Sequence, residues 1–434
     1  MGHQLSVEDF EIAIICALKV ESDAVVAAFD ELLEGSDAVP PLAKDRLDAN
    51  AYTIGVMGDH HVVLAHMPNY GISSSAIVAT DLRRTFPNIK VAFVVGVCGG
   101  VPKIKEDDIM LGDVIISTRV IQYGLGREFT HEFRPIDTTG REPCPELRSY
   151  LNKMQGEQEL SHLEERTLEY LNAPRKSDWQ PKCKHPGMEN DKLFAPTHRH
   201  KHHQKGLCET CDKCLDDENP PCKESETLDC TILGCHEVVM RQRKPPSTQL
   251  DEAGAVGSIP RSLRPHVYFG AFGSADKVMK SSTERDRLVK ELGIVALEME
   301  GGGAWGTVPC VIIKGVCDYS DSHKNKVWQP YAAATAACCC KAFLVPWWKS
   351  VTKNRVQATG NTDPQTREFI QNLFALDPPS ARSQIELDNG DLLPGTGSWL
   401  FAPPLCTSEE TEANPQDLQS PYLMFNKWWT DDQA

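Results

Sequence analysis

The stretch "VAFVVGVCGG" (91–100) decides the fold class, because it is apolar along its length and ends in a pair of glycines. A strand without alternation of polar and apolar residues is buried on both faces, which is typical of a sheet covered by helices on both sides. The two glycines allow another group to come close to the end of the strand. The stretch therefore predicts a central strand of an α/β protein.

Strand-like and helix-like segments alternate on both sides of this stretch. Gly58-Asp59, between two strand-like runs, predicts a hairpin turn. We predict a three-layer α/β/α fold with a mixed, mostly buried central sheet. The further strands are predicted at "EIAIICAL" (11–18), "GDVIIST" (112–118), "HVYFGAFGSA" (266–275) and "VPCVIIKGVCD" (308–318), and the helices at 21–33, 73–86, 282–292 and 331–344.

Two segments depart from this alternation. Residues 142–262 are polar, and seven Cys and six His lie between Cys183 and His236. Residues 350–434 are rich in Pro, Asp, Asn, Gln and Thr, a composition typical of partly disordered chain. We therefore predict three parts: a domain over 9–346 whose core is 9–141 and 263–346, an insertion over 142–262 that is Cys/His-rich in 183–236, and a poorly ordered linker over 350–434.

The charge and composition exclude some functions. The net charge of −16 and the pI of about 5.4 argue against a nucleic-acid or membrane-surface binder, which needs a basic face. No apolar run approaches the ~18 residues that span a bilayer, and no signal peptide is visible. We therefore expect a cytoplasmic protein whose 16 cysteines are reduced thiols or metal ligands.

Two carboxylates stand together in "GIVALEMEGGGAW" (293–305). If the strand continues through them, Glu298 and Glu300 point to one side and Met299 to the other. One interpretation is a strand end that reaches solvent. The other is a ligand site, since open α/β sheets bind ligands at the carboxyl ends of their strands.

Two more acids stand at predicted strand ends. Asp318 is either a turn former or a catalytic acid in a dry pocket. Glu21 is either a helix N-terminal acid favoured by the dipole or a general base. Because the carboxyl ends of these strands, with Gly99-Gly100, are expected to meet at one edge of the sheet, a shared site is favoured.

The segments together resemble the nucleoside phosphorylase superfamily: purine and uridine phosphorylases and methylthioadenosine/S-adenosylhomocysteine nucleosidases. The resemblance is strongest to the N-terminal phosphorylase-like domains of large fungal proteins that continue into a NACHT-type ATPase and repeats such as ankyrin. Residues 350–434 resemble the approach to that ATPase, without a P-loop. The matching pieces are "FEIAIICAL", "VAFVVGVCGGVP", "LGDVIIST", "FGAFGSADKVMK", "ALEMEGGGAW" and "KGVCDYSDSHKN".

The resemblance implies a role for individual residues. Asp318 would protonate or hydrogen-bond the purine N7, and Glu300 would hold the ribose hydroxyls. Glu21 would hold the attacking water. The remaining contacts that it implies are Met299 packed on the sugar, Glu298 supporting Glu300, the Val278 backbone at the purine, and Cys98 and Gly99 on the ribose side.

The identity of the nucleophile separates hydrolases from phosphorylases. The phosphorylases carry a Gly-Asp-Pro-x-Arg-like loop after the first strand, where this chain has "ALKVES" (17–22). Phosphate needs cationic donors. We therefore expect a purine nucleosidase that needs no cofactor and favours adenosine-like substrates. A phosphate-dependent phosphorylase and a sensing module without turnover stay as alternatives, and the resemblance implies a homodimer or homotrimer.

The insertion has metal-ligand spacing in "CETCDKC" (208–214), with "HRHKHH" (198–203) just before it. The C-x-x-C spacing brings two thiolates to one metal through a tight turn. Cys208, Cys211 and a nearby His are the first candidate ligands of a structural zinc. The other interpretation is a solvent-exposed loop.

Overall fold

The computed structural model describes residues 5–33, 43–104, 107–131, 133–136, 139–173, 183–215, 219–236, 238–239 and 264–351. The described strands are β1 Ile12–Cys16, β2 Glu31–Leu32, β3 Ala51–Met57, β4 His60–His66, β5 Val91–Gly100, β6 Lys103–Ile104, β7 Asp107–Asp108, β8 Val114–Gln122, β9 Gly126–Glu128, β10 Phe133–Pro135, β11 Leu193–Phe194, β12 Val238–Val239, β13 Val267–Ser274, β14 Ile294–Glu298 and β15 Cys310–Asp318. The described helices are α1 Lys19–Ala28, α2 Ile72–Thr85, α3 Pro145–Met154, α4 Glu157–Asn172, α5 Glu209–Lys213, α6 Cys230–Leu233, α7 Ser282–Leu292, α8 Gly301–Ala304 and α9 Gln329–Val351.

Nine strands form one mixed sheet in the order β14-β13-β8-β15-β5-β1-β4-β3-β2. β5 lies between β1 and β15 and runs parallel to both. β8 runs antiparallel to β15, and β3 runs antiparallel to β4 through the predicted hairpin. The prediction of an α/β protein with a mixed central sheet is confirmed.

The sheet is buried on both faces. In β1, Ile12 and Ile14 belong to one hydrophobic cluster, together with side chains of α1 and α9. Their neighbours Ala13 and Ile15 belong to a second cluster on the other face, together with side chains of α2. This division follows from the two-residue period of a strand and explains why the strand sequences are apolar without alternation.

One predicted helix is too long. The expected helix over 21–33 ends at Ala28, and Glu31–Leu32 instead form the edge strand β2. The backbone N–H groups of Asp30 and Leu33 donate to carbonyls of β3, to Val56 at 2.8 Å and to Ile54 at 3.0 Å. Hydrogen bonding to the sheet edge thus replaces the last helical turn.

The region predicted as an insertion begins with two helices that pack on the core. Leu147, Leu151 and Leu163 of α3 and α4 are buried in the same cluster as β1 and α9. The Tyr150 hydroxyl donates to the Phe343 carbonyl of α9 at 3.0 Å. From residue 352 onward the predicted linker lies outside the described residues. None of the described helices is both long and apolar enough to span a membrane.

Candidate functional site

The sheet curls so that three strand ends meet. β14 pairs in parallel with β13 and also, in antiparallel, with the end of β5, where Leu297 is opposite Gly99. On its other side Gly99 is opposite Asp318 of β15. The carboxyl end of β5 therefore lies between the ends of the two strands that carry the predicted acids.

Gly99 is sterically required at this junction. A Cβ at this position would lie 2.0 Å from the Ser320 Oγ and 2.9 Å from the Asp318 Oδ1. A side chain at this position would therefore displace the side chains of Ser320 and Asp318. The missing side chain of Gly99 is what lets Asp318 approach β5.

A cavity of about 400 Å³ opens at these strand ends. It is lined by all eight residues that the sequence assigned to catalysis or to substrate binding. They come from segments more than 290 residues apart along the chain, and the fold brings them together. The eight are Glu21, Cys98, Gly99, Val278, Glu298, Met299, Glu300 and Asp318.

Glu21 lies in the first turn of α1 and is 2 % exposed. Its Oε2 accepts hydrogen bonds from the N–H groups of Ala17 at 3.0 Å and Leu18 at 2.8 Å. Its Oε1 accepts one from the Val97 N–H at 2.8 Å. Burial raises the pKa of this carboxyl above its ordinary value, although Lys314 opposes the shift. Glu21 therefore fits both sequence interpretations, as a helix N-terminal acid and as a group of the cavity.

Lys314 is a buried cation that the sequence analysis missed. It lies on β15 and is 1 % exposed. Its Nζ is 3.1 Å from the Glu300 Oε2 and 3.8 Å from the Glu21 Oε1. Burial would lower the pKa of Lys314, but the nearby carboxylates outweigh burial and raise it. The signal that could have revealed it is a single lysine inside the apolar strand "VPCVIIKGVC" (308–317).

The two neighbouring glutamates are not arranged as predicted. β14 ends at Glu298, and Glu300 stands with φ −112° and ψ −36° before the short helix α8. The alternation of a strand therefore does not orient them. The cause is Glu298 itself, whose Oε2 accepts from the N–H groups of Glu300 at 2.8 Å and Gly301 at 2.7 Å. Both carboxylates still line the cavity and are buried, so the solvated interpretation is wrong.

The glycines after Glu300 allow a close helix contact. A Cβ at Gly303 would lie 2.0 Å from the Ile72 carbonyl oxygen at the start of α2. Beside it, the Ser75 hydroxyl of α2 donates to the Glu300 carbonyl at 2.5 Å. The glycines therefore allow α8 to lie directly on α2, which fixes the backbone that carries Glu300.

Glu298 provides a test of the site's electrostatics. Burial and the charge of Glu300 raise the pKa of Glu298 to about 7. A carboxyl with a raised pKa contributes stability that is present below its unfolded pKa and is lost as pH rises through the folded pKa. Glu298→Gln keeps an acceptor oxygen but cannot ionise. As the pH rises from 5 to 8, we expect its free energy of unfolding to increase by roughly 1–3 kcal/mol relative to that of the wild type.

Urea unfolding at the two pH values measures this gain. Glu146→Gln on the exposed face of α3 is the matched control and should show no pH-dependent difference. A difference between Glu298→Gln and wild type that is the same at pH 5 and pH 8 would show that Glu298 titrates normally.

Asp318 is held by the loop that follows it. Its Oδ1 accepts from the Ser320 N–H at 2.9 Å and lies 2.9 Å from the Lys324 Nζ. Ser320 has a positive φ of 55°, which is uncommon for a residue other than glycine. Its buried hydroxyl has no hydrogen-bond partner and lines the cavity, so it is a second group that the sequence analysis missed. Asp318 is both a turn former and a group of the cavity.

The cations that line the cavity are lysines. They are Lys277, Lys324 and Lys326, and no arginine among the described residues lines it. Lys277 lies 5.2 Å from the centre of the Tyr123 ring, and Lys324 is paired with Asp318. The bidentate cationic group that suits a phosphate is therefore absent from the described lining of this cavity.

The predicted metal ligands lie in a compact part of the insertion. Cys208 and Cys211 stand at the start of α5, and Cys211 is 1 % exposed. With His202 and Cys222 they form a group whose ligand atoms all lie within 4.8 Å of one another. None of the fifteen described cysteines is in a disulfide. Two further groups of possible metal ligands both contain Cys235. One consists of His198, His203 and Cys235, and the other of His200, Cys230 and Cys235.

The chain is similar to characterised proteins in sequence and in structure. It is 29% identical over 346 residues to a nucleotide-binding leucine-rich repeat (NLR)-like protein of Hyaloscypha variabilis, covering 78% of this chain and 30% of that protein. The chain thus spans less than a third of the length of this relative.

Three similar solved structures are those of bacterial enzymes. The 5′-methylthioadenosine/S-adenosylhomocysteine nucleosidase and the futalosine hydrolase of Helicobacter pylori are 15% and 14% identical, each over 77% of this chain and 97% of the other, with a TM-score of 0.43. An S-adenosylhomocysteine nucleosidase of Streptococcus pyogenes is 11% identical over 78% of this chain and 97% of its own, also with a TM-score of 0.43.

A family model matches the first part of the chain. The model is that of the phosphorylase superfamily, and the match covers residues 11–172. These residues include β1, β5 with its two terminal glycines, and the helices α3 and α4 that pack on the core. The match agrees with the resemblance of the sequence to this superfamily and is limited to residues 11–172.

Proposed function

We propose that the protein is an N-ribosyl hydrolase that cleaves the N-glycosidic bond of purine nucleosides, with adenosine-like substrates favoured. The observation that carries the proposal is the convergence of Glu21, Glu300 and Asp318 on one cavity of about 400 Å³. A cavity of this size suits a nucleoside. Glycoside hydrolysis needs an acid for the leaving group, a base for water and stabilisation of a cationic sugar, and three carboxylates can supply them.

Asp318 acts on the base. In the proposed reaction its carboxyl protonates or hydrogen-bonds the purine N7, so that the C–N bond breaks with a neutral leaving group. The contacts with the Ser320 N–H and the Lys324 Nζ are both on Oδ1. Oδ2 accepts from the Cys317 thiol at 3.3 Å, and it is the oxygen proposed to meet the purine.

Glu300 acts on the sugar. Its carboxylate accepts from the ribose 2′- and 3′-hydroxyls and faces the positive charge that develops on the ring. Lys314, 3.1 Å away, offsets the buried charge of Glu300 and holds its position. Met299 lines the same cavity and packs on the sugar in the proposed complex.

Glu21 acts on water. A carboxylate offers about four acceptor positions, two on each oxygen. Two N–H groups occupy the Oε2, whereas the Oε1 accepts only from Val97 among backbone donors. The Oε1 is therefore the atom proposed to take the proton of the attacking water. The raised pKa of Glu21 makes its ionised form a stronger base.

Water is preferred to phosphate as the nucleophile because the described lining of the cavity has no arginine. The second candidate is a sensing module that binds a nucleoside without turnover. It is favoured by the similarity to an NLR-like protein more than three times as long as the aligned part of this chain.

A nucleoside panel separates these candidates. Purified protein is incubated with adenosine, inosine and guanosine, with and without phosphate, and free base is measured by chromatography. The hydrolase releases base at the same rate in both buffers. Release only with phosphate contradicts the hydrolase and supports a phosphorylase, and tight binding without release supports the sensing module.

A further inference from the structure

The insertion holds a second cluster of polar side chains, none of which lines the cavity. Its members are two cysteines of the C-x-x-C turn, a third cysteine before the 3₁₀ helix Lys223–Glu226, and one histidine. The His202 Nδ1 lies 3.5 Å from the Cys211 Sγ and 3.5 Å from the Cys222 Sγ. Together with the Cys208 Sγ, these four atoms all lie within 4.8 Å of one another.

We propose that His202, Cys208, Cys211 and Cys222 bind one structural zinc ion. Three thiolates and one imidazole are a ligand set of structural zinc sites, which are four-coordinate and closed. Four ligand atoms around a tetrahedral zinc, at about 2.0 to 2.3 Å from it, stand about 3.3 to 3.8 Å apart, close to the spacing found here. The spacing in the sequence predicted Cys208 and Cys211 as ligands, and the structure adds His202 and Cys222 to them.

The surroundings favour a metal. Three thiolates and one imidazole leave the zinc complex with one negative charge. Lys201, the neighbour of His202, donates from its Nζ to the carbonyls of Cys211 at 3.0 Å and Cys214 at 2.5 Å. This lysine places a positive charge beside the site and ties the histidine segment to the C-x-x-C turn.

The site is connected to the loop that holds Asp318. In the histidine segment, the His200 ring meets the His323 ring edge-on at 5.2 Å. The Phe194 ring stacks on the His323 ring, with 3.8 Å between the two ring centres. His323 precedes Lys324, the cation paired with Asp318. The zinc therefore acts as a structural support for the loop over 319–324, outside the chemistry of the cavity.

The first test measures zinc in the purified full-length chain by inductively coupled plasma mass spectrometry. Cys222→Ser is expected to lose one equivalent of zinc, while Cys144→Ser, an exposed cysteine outside the cluster, retains the wild-type content. Equal zinc in both variants, or a zinc-free wild type grown with added zinc, would overturn the site.

X-ray absorption at the zinc edge of the wild type keeps the proposal testable if Cys222→Ser fails to fold. We expect a first shell of three sulfurs and one nitrogen. A shell of nitrogen and oxygen alone would overturn the assignment, as would a disulfide between Cys208 and Cys211 found by mass spectrometry of the untreated protein.

Hydrogen exchange tests the connection to the loop without reference to catalysis. After removal of zinc by a chelator, peptides over 319–327 are expected to exchange faster, while peptides over 72–85 of α2 are unchanged. An unchanged rate over 319–327 in zinc-free protein would disprove the support role. Since none of these three experiments measures nucleoside cleavage, their failure and the failure of the hydrolase proposal are distinguishable.

Discussion

Asp318→Asn is expected to slow nucleoside cleavage by about 10²- to 10⁴-fold, the usual contribution of general acid catalysis. Asparagine keeps an oxygen that can accept from the Ser320 N–H, so the turn after β15 can persist. It cannot deliver a proton to the purine N7. The larger expected loss is therefore in turnover, with a smaller loss of stability because Lys324 loses its charged partner.

Steady-state release of free base measures the loss, and thermal unfolding shows whether the fold is intact. Asp23→Asn on the exposed side of α1 is the matched control and should keep wild-type activity. Turnover by Asp318→Asn within a factor of three of wild type would remove Asp318 from the proposed mechanism.

Lys314→Met is expected to lower the free energy of unfolding by about 3–5 kcal/mol, the cost of removing one partner of a buried ion pair. Methionine matches the length of the lysine stem, so packing changes little. Without the Nζ, Glu300 and Glu21 stay buried beside each other with no cation between them. Base release should fall as well, because both carboxylates belong to the proposed mechanism.

Denaturant unfolding and base release are measured on the same preparation. Lys290→Met, an exposed lysine at the end of α7, removes the same charge from a solvated position and should change stability by well under 1 kcal/mol. Equal unfolding midpoints for the two variants would show that Lys314 does not compensate the buried carboxylates.

The fold could be predicted because its strands are continuous apolar runs. β5 and β15 lie close to the predicted positions, since burial on both faces leaves a clear signal in the sequence. The end of α1 could not be predicted in the same way. Its last turn is replaced by backbone hydrogen bonds to β3, and a partner strand is invisible to local periodicity.

The sequence indicated which residues lie together at the cavity, but not how they are arranged there. Spacing placed Glu298 and Glu300 at one strand end, yet the strand stops at Glu298 because its carboxylate accepts the next backbone N–H groups. Lys314 was missed because a lysine within an apolar strand gives no indication of the two acids that surround it. Those acids lie about 290 and 14 residues away, and only the folded sheet brings them to it.

The central claim is that water, activated at this cavity, attacks the ribose. The most direct measurement is cleavage of adenosine in H₂¹⁸O with phosphate present, followed by mass spectrometry of the sugar product. We predict free ribose that carries one ¹⁸O atom, with its formation reduced in Asp318→Asn. Ribose 1-phosphate as the product, or no free base after prolonged incubation, would contradict the account.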